Sequence, residues 1–527
     1  MIGQVMTLAV PLLLVPAARA PATPSRPVPR LVVVITVDQM RADYLDRWRS
    51  QLTGGLAWLL GHGAVFTDAY QDHAMTETAP GHATILSGRN PHSTGIVRNS
   101  EGVADSSAAL IGVAGPGASP RRFRGTALFD WIQGRYPQAR ALSVSRKDRG
   151  AILPLGRARQ QVYWYEGGRF TTSRYYADTL PRWVRTFDAG VPAAYAPGRA
   201  WTLLLPAADY AEPDSQPWEH DGRDYTFPHR LPDDSAAAAN TLPVTPFMDS
   251  LTLALALDGL EQLRLGRGPQ PDLLAISLSA TDYIGHAYGP DSREIHDQIL
   301  RLDRSLGWFL DSLARRREPG RTVVVLTADH GVTPYPAWSR AHGDTAARAV
   351  SFDSLLRATR EALVARAGPG RWLRFFEAGM LAMDRPGLEA HGVNVDSVVA
   401  ALAAAMRAVP GVWRVDTPRS LAAADTARDP IARRWRNAIP PDLGVEVVAT
   451  LRPDDVWGRE PLADAEHGQP SDADAHVPLI VAGPGVRPGR YGGRVQEADL
   501  APTLARLLGV PPLQALDGRP LTEALAP

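Results

Sequence analysis

The stretch Leu31-Val-Val-Val-Ile-Thr-Val-Asp38 decides the fold of this chain. Seven uncharged and mostly β-branched residues predict a strand that is covered on both faces, as strands of parallel sheets are. An acidic side chain follows at once. Because open α/β sheets bind their ligands beyond the carboxyl ends of the strands, Asp38 is a candidate functional residue.

Three further apolar runs, at 272–278, 322–327 and 477–481, repeat this pattern. Between the first two, apolar residues recur at three- and four-residue steps: Ile295, Ile299, Leu302, Leu306, Phe309 and Leu313. This spacing predicts an amphipathic helix that begins at Asp291 or Ser292. A strand, a helix and a strand in this order predict an α/β fold with a mainly parallel central sheet sandwiched by helices.

The candidate functional residues are spread from Asp38 to His476, which favours one catalytic domain over 30–527. Three stretches depart from the strand–helix rhythm: 101–124, rich in Gly, Ala and Ser; 150–270, rich in Tyr, Trp and Pro; and 334–440. Loops on the ligand side of a sheet can lengthen without harming the core. We therefore interpret these stretches as insertions on that side, with 150–270 forming a cap.

Composition excludes several classes of protein. Lys plus Arg and Asp plus Glu both number 56, so no basic field draws the chain to nucleic acid or to an anionic membrane. The chain has no Cys, which excludes disulfides, thiolate metal ligands and a cysteine nucleophile.

The first 20 residues are predicted to be a signal peptide. Their apolar stretch, 6–15, is too short to span a bilayer, and Ala18-Arg-Ala20 fits a small-x-small cleavage site. No later segment is long and apolar enough to cross a membrane. The protein is therefore expected in the periplasm or outside the cell; the alternative is an unprocessed cytoplasmic N-terminus.

Two short motifs combine carboxylate and imidazole. Asp282-x-x-x-His286 and Asp329-His330 each supply one carboxylate and one imidazole, and these ligands suit a cation such as Zn²⁺. His476 stands just before the last apolar run. Taken singly, each has an ordinary explanation as an exposed carboxylate or a hydrogen-bonded imidazole. Together they predict a paired-metal site, in which ions about 4 Å apart stabilise the attacking and leaving oxygens of a displacement.

Thr78 and Asn99 each allow two interpretations. Thr78 precedes Pro80 and a helical run, so it suits a helix N-cap. A hydroxyl at a helix N-terminus also lies where anions bind, and a neighbouring cation would make it a nucleophile. Asn99 is either a turn residue or a donor to a phosphate oxygen.

The chain resembles the alkaline phosphatase superfamily. The motifs that carry the resemblance are Asp38, Thr78-Ala-Pro-Gly-His82, Asp282-x-x-x-His286, Asp329-His330-Gly331, and His467-Gly…His476-Val-Pro. The segments Ser145-Arg-Lys-Asp-Arg-Gly150 and Tyr175-Tyr…Leu180-Pro-Arg-Trp-Val184 are similar to the phosphate-irrepressible, PafA-type alkaline phosphatases, which use a Thr nucleophile. The resemblance runs over nearly the whole chain.

The resemblance implies a site with two Zn²⁺ ions per chain. It assigns one ion to Asp282, His286 and His476, and the other to Asp38, Asp329, His330 and Thr78. Thr78 would attack phosphorus and form a phospho-threonine that water hydrolyses, while Asn99, Lys147 and Arg149 would hold the non-bridging oxygens. The implied protein is a monomeric alkaline phosphatase that acts on small-molecule phosphate monoesters with broad leaving-group specificity.

Other members of the superfamily are alternatives to this interpretation. Sulfatases need a Cys or Ser in a Cys/Ser-x-Pro-x-Arg motif, whereas this chain has Thr78-Ala-Pro-Gly-His82. Type I phosphodiesterases and nucleotide pyrophosphatases share the Thr nucleophile and both metal sites, and they are the main alternative. The pair Lys147 and Arg149 favours a monoesterase, because a monoester carries an extra negative charge. A catalytically inactive phosphate-binding surface protein also stays open.

Overall fold

The computed structural model describes residues 28–459 and 464–526. The predicted signal peptide, 1–20, lies outside the described residues. The strands are β1 (Leu31–Val37), β2 (Ala64–Phe66), β3 (Ala69–Tyr70), β4 (Ala141–Ser145), β5 (Gln161–Glu166), β6 (Arg169–Thr171), β7 (Ala200–Trp201), β8 (His229–Arg230), β9 (Asp272–Leu278), β10 (Thr322–Thr327), β11 (Ala349–Val350), β12 (Leu373–Glu377), β13 (Met380–Met383), β14 (Val412–Asp416), β15 (Val445–Leu451), β16 (Val456–Trp457), β17 (Leu479–Ala482), β18 (Gly489–Tyr491) and β19 (Val495–Gln496).

The helices, in chain order, are α1 (Tyr44–Arg47), α2 (Gly55–His62), α3 (Thr78–Ser87), α4 (Pro91–Thr94), α5 (Leu128–Arg135), α6 (Asp148–Ile152), α7 (Arg182–Asp188), α8 (Ser235–Thr241), α9 (Phe247–Gln262), α10 (Ala280–Tyr288), α11 (Arg293–Arg316), α12 (Pro336–Ala341), α13 (Asp353–Ala367), α14 (Arg385–Ala390), α15 (Val395–Arg407), α16 (Pro418–Ala423), α17 (Pro430–Ala438), α18 (Asp472–Ala475) and α19 (Leu500–Leu508).

Within the described ranges, nine strands form the central sheet in the order β18-β2-β17-β10-β1-β9-β4-β5-β6. The five strands from β10 to β5 run parallel to their neighbours, as predicted. Towards the edges, β17 runs antiparallel to β10 and β2, and β6 runs antiparallel to β5. The sheet is therefore mixed, with a parallel centre.

Strand β1 is buried along its whole length, as its composition predicts. Val33 and Ile35 pack into one apolar core and Val32 and Val34 into another, because successive side chains point to opposite faces of a strand. Helices cover both faces and exclude water from them. The fold class predicted from the sequence is confirmed.

Helix α11 corresponds to the amphipathic pattern over 291–313. Its N-cap is Ser292, whose Oγ accepts a hydrogen bond from the Ile295 amide at 3.1 Å. The six apolar residues that define the predicted stripe are all buried. Of the two predicted starting points, Ser292 is therefore the one used.

The stretches interpreted as insertions have structure of their own. Strands β5 and β6 lie inside 150–270 but belong to the central sheet, so this part of the stretch is not a separate cap. A second sheet, β12-β13-β15-β14, is built from 373–451 around its own apolar core. No helix in the described part of the chain has the length and apolar character needed to cross a membrane.

Candidate active site

The ends of adjacent parallel strands bring the predicted residues together. Asp38 follows β1 directly, Asp329 comes two residues after β10, and Asp282 lies in the first turn of α10, after β9. Lys147 comes two residues after β4. Because β10, β1, β9 and β4 are neighbours and run the same way, these side chains meet at one edge of the sheet.

Asp38, Asp329 and His330 form the first group of candidate metal ligands. One ligand atom from each lies within 4.8 Å of the others, and all three residues are fully buried. His330 Nε2 is 3.4 Å from Asp38 Oδ1 and 3.8 Å from Asp329 Oδ2. The sequence predicted this set.

Asp282, His286 and His467 converge beside the first group. Asp282 Oδ1 lies 3.5 Å from His286 Nε2 and 3.8 Å from His467 Nε2. It is also 3.9 Å from His330 Nε2, so the two groups adjoin. Carboxylate and imidazole groups this close together are arranged as they would be around divalent cations.

The orientation of the imidazoles fits metal binding. The Nδ1 atoms of His286, His330 and His467 contact the carbonyl oxygens of Ala465, Gly331 and Thr76 at 2.7, 2.9 and 2.7 Å. Because a carbonyl only accepts, each Nδ1 carries the proton and each Nε2 keeps its lone pair for a cation. His330 Nε2 and Asp38 Oδ1 are buried without a hydrogen-bond partner among the described residues, which is costly unless a ligand satisfies them.

His476 does not belong to this site, which corrects the ligand set expected from the sequence. Its ring stacks on Tyr70, and its Nε2 contacts the carbonyl oxygen of Thr67 at 3.1 Å. That nitrogen carries a proton and has no lone pair for a metal. His467, in the His467-Gly motif, is the imidazole that completes the group with Asp282 and His286.

Thr78 is the first residue of α3 and is buried; Glu77 is the N-cap. Lys147 Nζ lies 3.2 Å from Thr78 Oγ1, 2.7 Å from Asp38 Oδ2 and 2.5 Å from Asp282 Oδ2. The hydroxyl therefore lies at a helix N-terminus, beside a cation that contacts carboxylates of both groups. This is the position that a nucleophile attacking an anion requires.

Asn99 lies at the same end of α3, and Arg149 interacts electrostatically with carboxylates of the candidate ligand groups. Asn99 Oδ1 accepts a hydrogen bond from the Ala79 amide at 2.8 Å, which leaves its NH₂ group as the donor for a ligand. Burial lowers the pKa of Arg149, but the nearby carboxylates, Asp38 and Asp282 among them, outweigh burial and raise it. Its Nε is buried without a hydrogen-bond partner among the described residues.

Electrostatic interactions hold the site in a charged state. Burial lowers the pKa of His330, yet the Asp329 and Asp38 carboxylates raise it to about 9. Burial also lowers the pKa of His286, whereas Asp282 raises it to about 9. The Asp282 and Asp38 carboxylates likewise outweigh burial and raise the pKa of Lys147.

Gln39 is a supporting residue that sequence reasoning missed. Its backbone N–H donates to Asp329 Oδ1 at 3.2 Å, and its side-chain Nε2 donates to Asp282 Oδ1 at 3.3 Å. Gln39 adopts a φ of 64°, and a Cβ on Gly285 would lie 1.8 Å from Gln39 Oε1. This strained backbone ties the two ligand groups together, and no local pattern signals it.

Comparison with known proteins places the chain in a family. The model of the type I phosphodiesterase / nucleotide pyrophosphatase family matches residues 32–447. Alkaline phosphatase PhoK of Sphingomonas sp is 30% identical over 93% of this chain and 90% of that protein. Alkaline phosphatase PafA of Elizabethkingia meningoseptica is 28% identical over 96% of both chains. A crystal structure of wild type alkaline phosphatase PafA superimposes with a TM-score of 0.88, at 28% identity, over 95% of this chain and 99% of that one. The chain therefore belongs to the type I phosphodiesterase / nucleotide pyrophosphatase family and is a phosphoric ester hydrolase.

Proposed function

We propose that this protein is an exported, metal-dependent alkaline phosphatase that hydrolyses small phosphate monoesters through a phospho-threonine intermediate. The observation that carries the proposal is the position of Thr78 Oγ1, 3.2 Å from Lys147 Nζ, which in turn lies 2.7 Å from Asp38 Oδ2 and 2.5 Å from Asp282 Oδ2. The alkaline phosphatases PhoK and PafA are similar to this chain over nearly its full length.

Two Zn²⁺ ions fit the donor sets. Asp38, Asp329 and His330 would hold one, with Thr78 beside it, and Asp282, His286 and His467 would hold the other. Such ions lower the pKa of a hydroxyl or of water and neutralise charge that develops on oxygen. Mixed carboxylate and imidazole ligands suit zinc better than magnesium, which prefers oxygen.

The side chains around Thr78 divide the remaining work. Thr78 Oγ1 attacks phosphorus, the alcohol leaves, and water then cleaves the phospho-threonine to give phosphate and the free hydroxyl. Asn99, whose Oδ1 is occupied by the Ala79 amide, donates through its NH₂ group to a non-bridging oxygen. Phosphoryl transfer needs mostly positioning and charge neutralisation, and these groups supply both.

Lys147 and Arg149 make the site selective for monoesters in this proposal. Both side chains are cationic, and the pKa of each is raised by nearby carboxylates. A monoester presents one more negative charge than a diester, so two cations beside the reacting phosphorus favour it. In this proposal leaving-group specificity is broad, because Asn99, Lys147 and Arg149 act on the phosphoryl group and not on the alcohol.

The proposed setting is the periplasm or the extracellular space, and the proposed state is a monomer. The signal-like composition of 1–20 supports export. Export would also place the enzyme where it meets free phosphate esters.

Removal of the metal tests the proposal directly. Dialysis against a chelator should lower p-nitrophenyl phosphate hydrolysis by more than about 10³-fold, because the ions supply several kcal/mol of transition-state stabilisation. Zn²⁺ should restore the activity, whereas Mg²⁺ should not. Circular dichroism of the metal-free protein serves as the folding control. Full activity in a folded sample shown to be free of metal would refute the two-metal proposal.

A further inference from the structure

Glu466 is a carboxylate at the candidate metal site that the ligand sets above leave out. One of its oxygens lies within 4.8 Å of a ring nitrogen of His286 and of a ring nitrogen of His467. These are two of the three residues that would hold the second ion. The third, Asp282, is within 3.8 Å of His467 Nε2.

The backbone around Glu466 is held in place. Its amide donates to the Thr333 carbonyl oxygen at 3.1 Å, and the Thr333 amide donates to the Glu466 carbonyl oxygen at 2.8 Å. Thr333 Oγ1 in turn donates to the buried carboxylate of Asp474 at 2.7 Å. A carboxylate on so fixed a backbone loses little conformational freedom when it binds a ligand.

Charge balance gives Glu466 a role. The first ligand group contains two carboxylates, Asp38 and Asp329, which neutralise a divalent cation. The second contains only one, Asp282, and leaves a divalent cation with a net positive charge. Glu466 would bring that group to two carboxylates and two imidazoles. Cations such as Zn²⁺ accept a fifth ligand, and added negative charge weakens their attraction for an anion.

We propose that Glu466 is a fourth protein ligand of the divalent cation held by Asp282, His286 and His467, and that its charge weakens the binding of inorganic phosphate. The proposal rests on the two-metal site of the proposed function. It extends that site by one residue, and it predicts opposite effects on two affinities. Loss of Glu466 should weaken the metal and strengthen phosphate binding.

The test compares Glu466→Gln with Asp464→Asn in the full protein. Both substitutions remove one carboxylate from the same segment, but Asp464 is exposed and does not share a group of candidate ligand atoms with His286 and His467. Zn²⁺ affinity is measured on metal-free protein by competition with a chromophoric chelator. Phosphate affinity is measured by calorimetry on protein loaded at saturating Zn²⁺.

Glu466→Gln should weaken one of the two Zn²⁺ sites by more than about 100-fold, which exceeds the loss typical of outer-shell residues, and should tighten phosphate binding by about tenfold. Asp464→Asn should leave both affinities within about twofold, since its carboxylate is solvated. Unchanged Zn²⁺ affinity in Glu466→Gln, while wild type binds two ions, would overturn the inference and leave the proposed function standing. Failure of wild type to bind Zn²⁺ would overturn both.

Cobalt spectroscopy covers the case in which Glu466→Gln does not fold. Wild-type protein loaded with Co²⁺ should give the weak visible absorption of a five-coordinate ion at one of its sites, because four protein ligands and one solvent oxygen would surround it. Identical Co²⁺ spectra for wild type and Glu466→Asp would contradict coordination by Glu466. Glu466→Asp, whose shorter side chain withdraws the carboxylate, should strengthen the absorption.

Discussion

Replacement of Thr78 by Ala should abolish phosphate monoester hydrolysis while leaving metal binding nearly intact. The hydroxyl is the proposed attacking atom, and loss of a nucleophile that forms a covalent intermediate lowers turnover by at least about 10³-fold. Thr78 is the first residue of α3, a position at which Ala is readily accommodated. Steady-state hydrolysis of p-nitrophenyl phosphate and the zinc content of the purified variant are the measurements.

Thr78→Ser is the matched control, because it keeps the hydroxyl and removes only a methyl group. It should retain activity and, after acid quenching with substrate, carry a phosphoryl group on residue 78 that mass spectrometry detects. Wild type should carry the same mark. An active Thr78→Ala variant, or a phosphoryl group at another residue, would contradict the assignment of the nucleophile.

Replacement of His467 by Ala should remove one metal ion, whereas replacement of His476 by Ala should not. His467 is one of three residues around the second candidate metal position. Loss of a ligand at such a site costs more than the 10- to 100-fold typical of outer-shell residues, so activity should fall by more than about 100-fold. Zinc content per chain and kcat/KM are measured side by side.

His476→Ala is the control for any loss of an imidazole near the site. Its ring stacks on Tyr70 and its Nε2 contacts Thr67, so the loss should cost about 1 kcal/mol of unfolding free energy. Activity should stay within about twofold of wild type, since the ring touches neither candidate ion position. The reverse outcome, a metal-poor His476→Ala and an intact His467→Ala, would restore the ligand set expected from the sequence.

The parallel centre of the sheet could be predicted from the sequence because a strand that is buried on both faces has a continuous apolar sequence. Both Leu31–Val37 and Thr322–Thr327 are apolar runs, and both are central strands. The direction of a strand relative to its neighbours is not visible in the sequence of that strand. The apolar run at 477–481 overlaps the strand Leu479–Ala482, which is antiparallel to β10. The composition of the run does not indicate the direction of the strand.

The stretch 150–270 is interpreted as a cap because its composition, rich in Tyr, Trp and Pro, departs from the strand–helix rhythm, yet β5 and β6 of this stretch belong to the central sheet. Tyr163 and Tyr165 pack into one core of the sheet, and Trp164 packs into the other. Consecutive large aromatic residues are also typical of a strand that is buried on both faces. Composition alone did not separate these two possibilities.

The candidate ligands could be predicted where they follow strands and not where they follow loops. Asp38 and Asp329 are fixed by the strands before them, which carry a strong pattern. His467 lies in a loop whose course depends on long-range contacts, such as that of its Nδ1 with the Thr76 carbonyl oxygen. His476 precedes a strand and looked equivalent, but its nitrogen is used by Thr67. Hydrogen bonds of this kind become visible only in three dimensions.

The monoester-to-diester rate ratio tests the central claim most directly. It is the ratio of kcat/KM for p-nitrophenyl phosphate to that for bis-p-nitrophenyl phosphate, measured for wild type and for Lys147→Ala/Arg149→Ala. The account predicts a strong monoester preference in wild type that falls by about 10²-fold or more in the double variant, since two charge-assisted contacts are lost. A wild-type preference for the diester that is indifferent to the two substitutions would contradict the account and make the protein a phosphodiesterase.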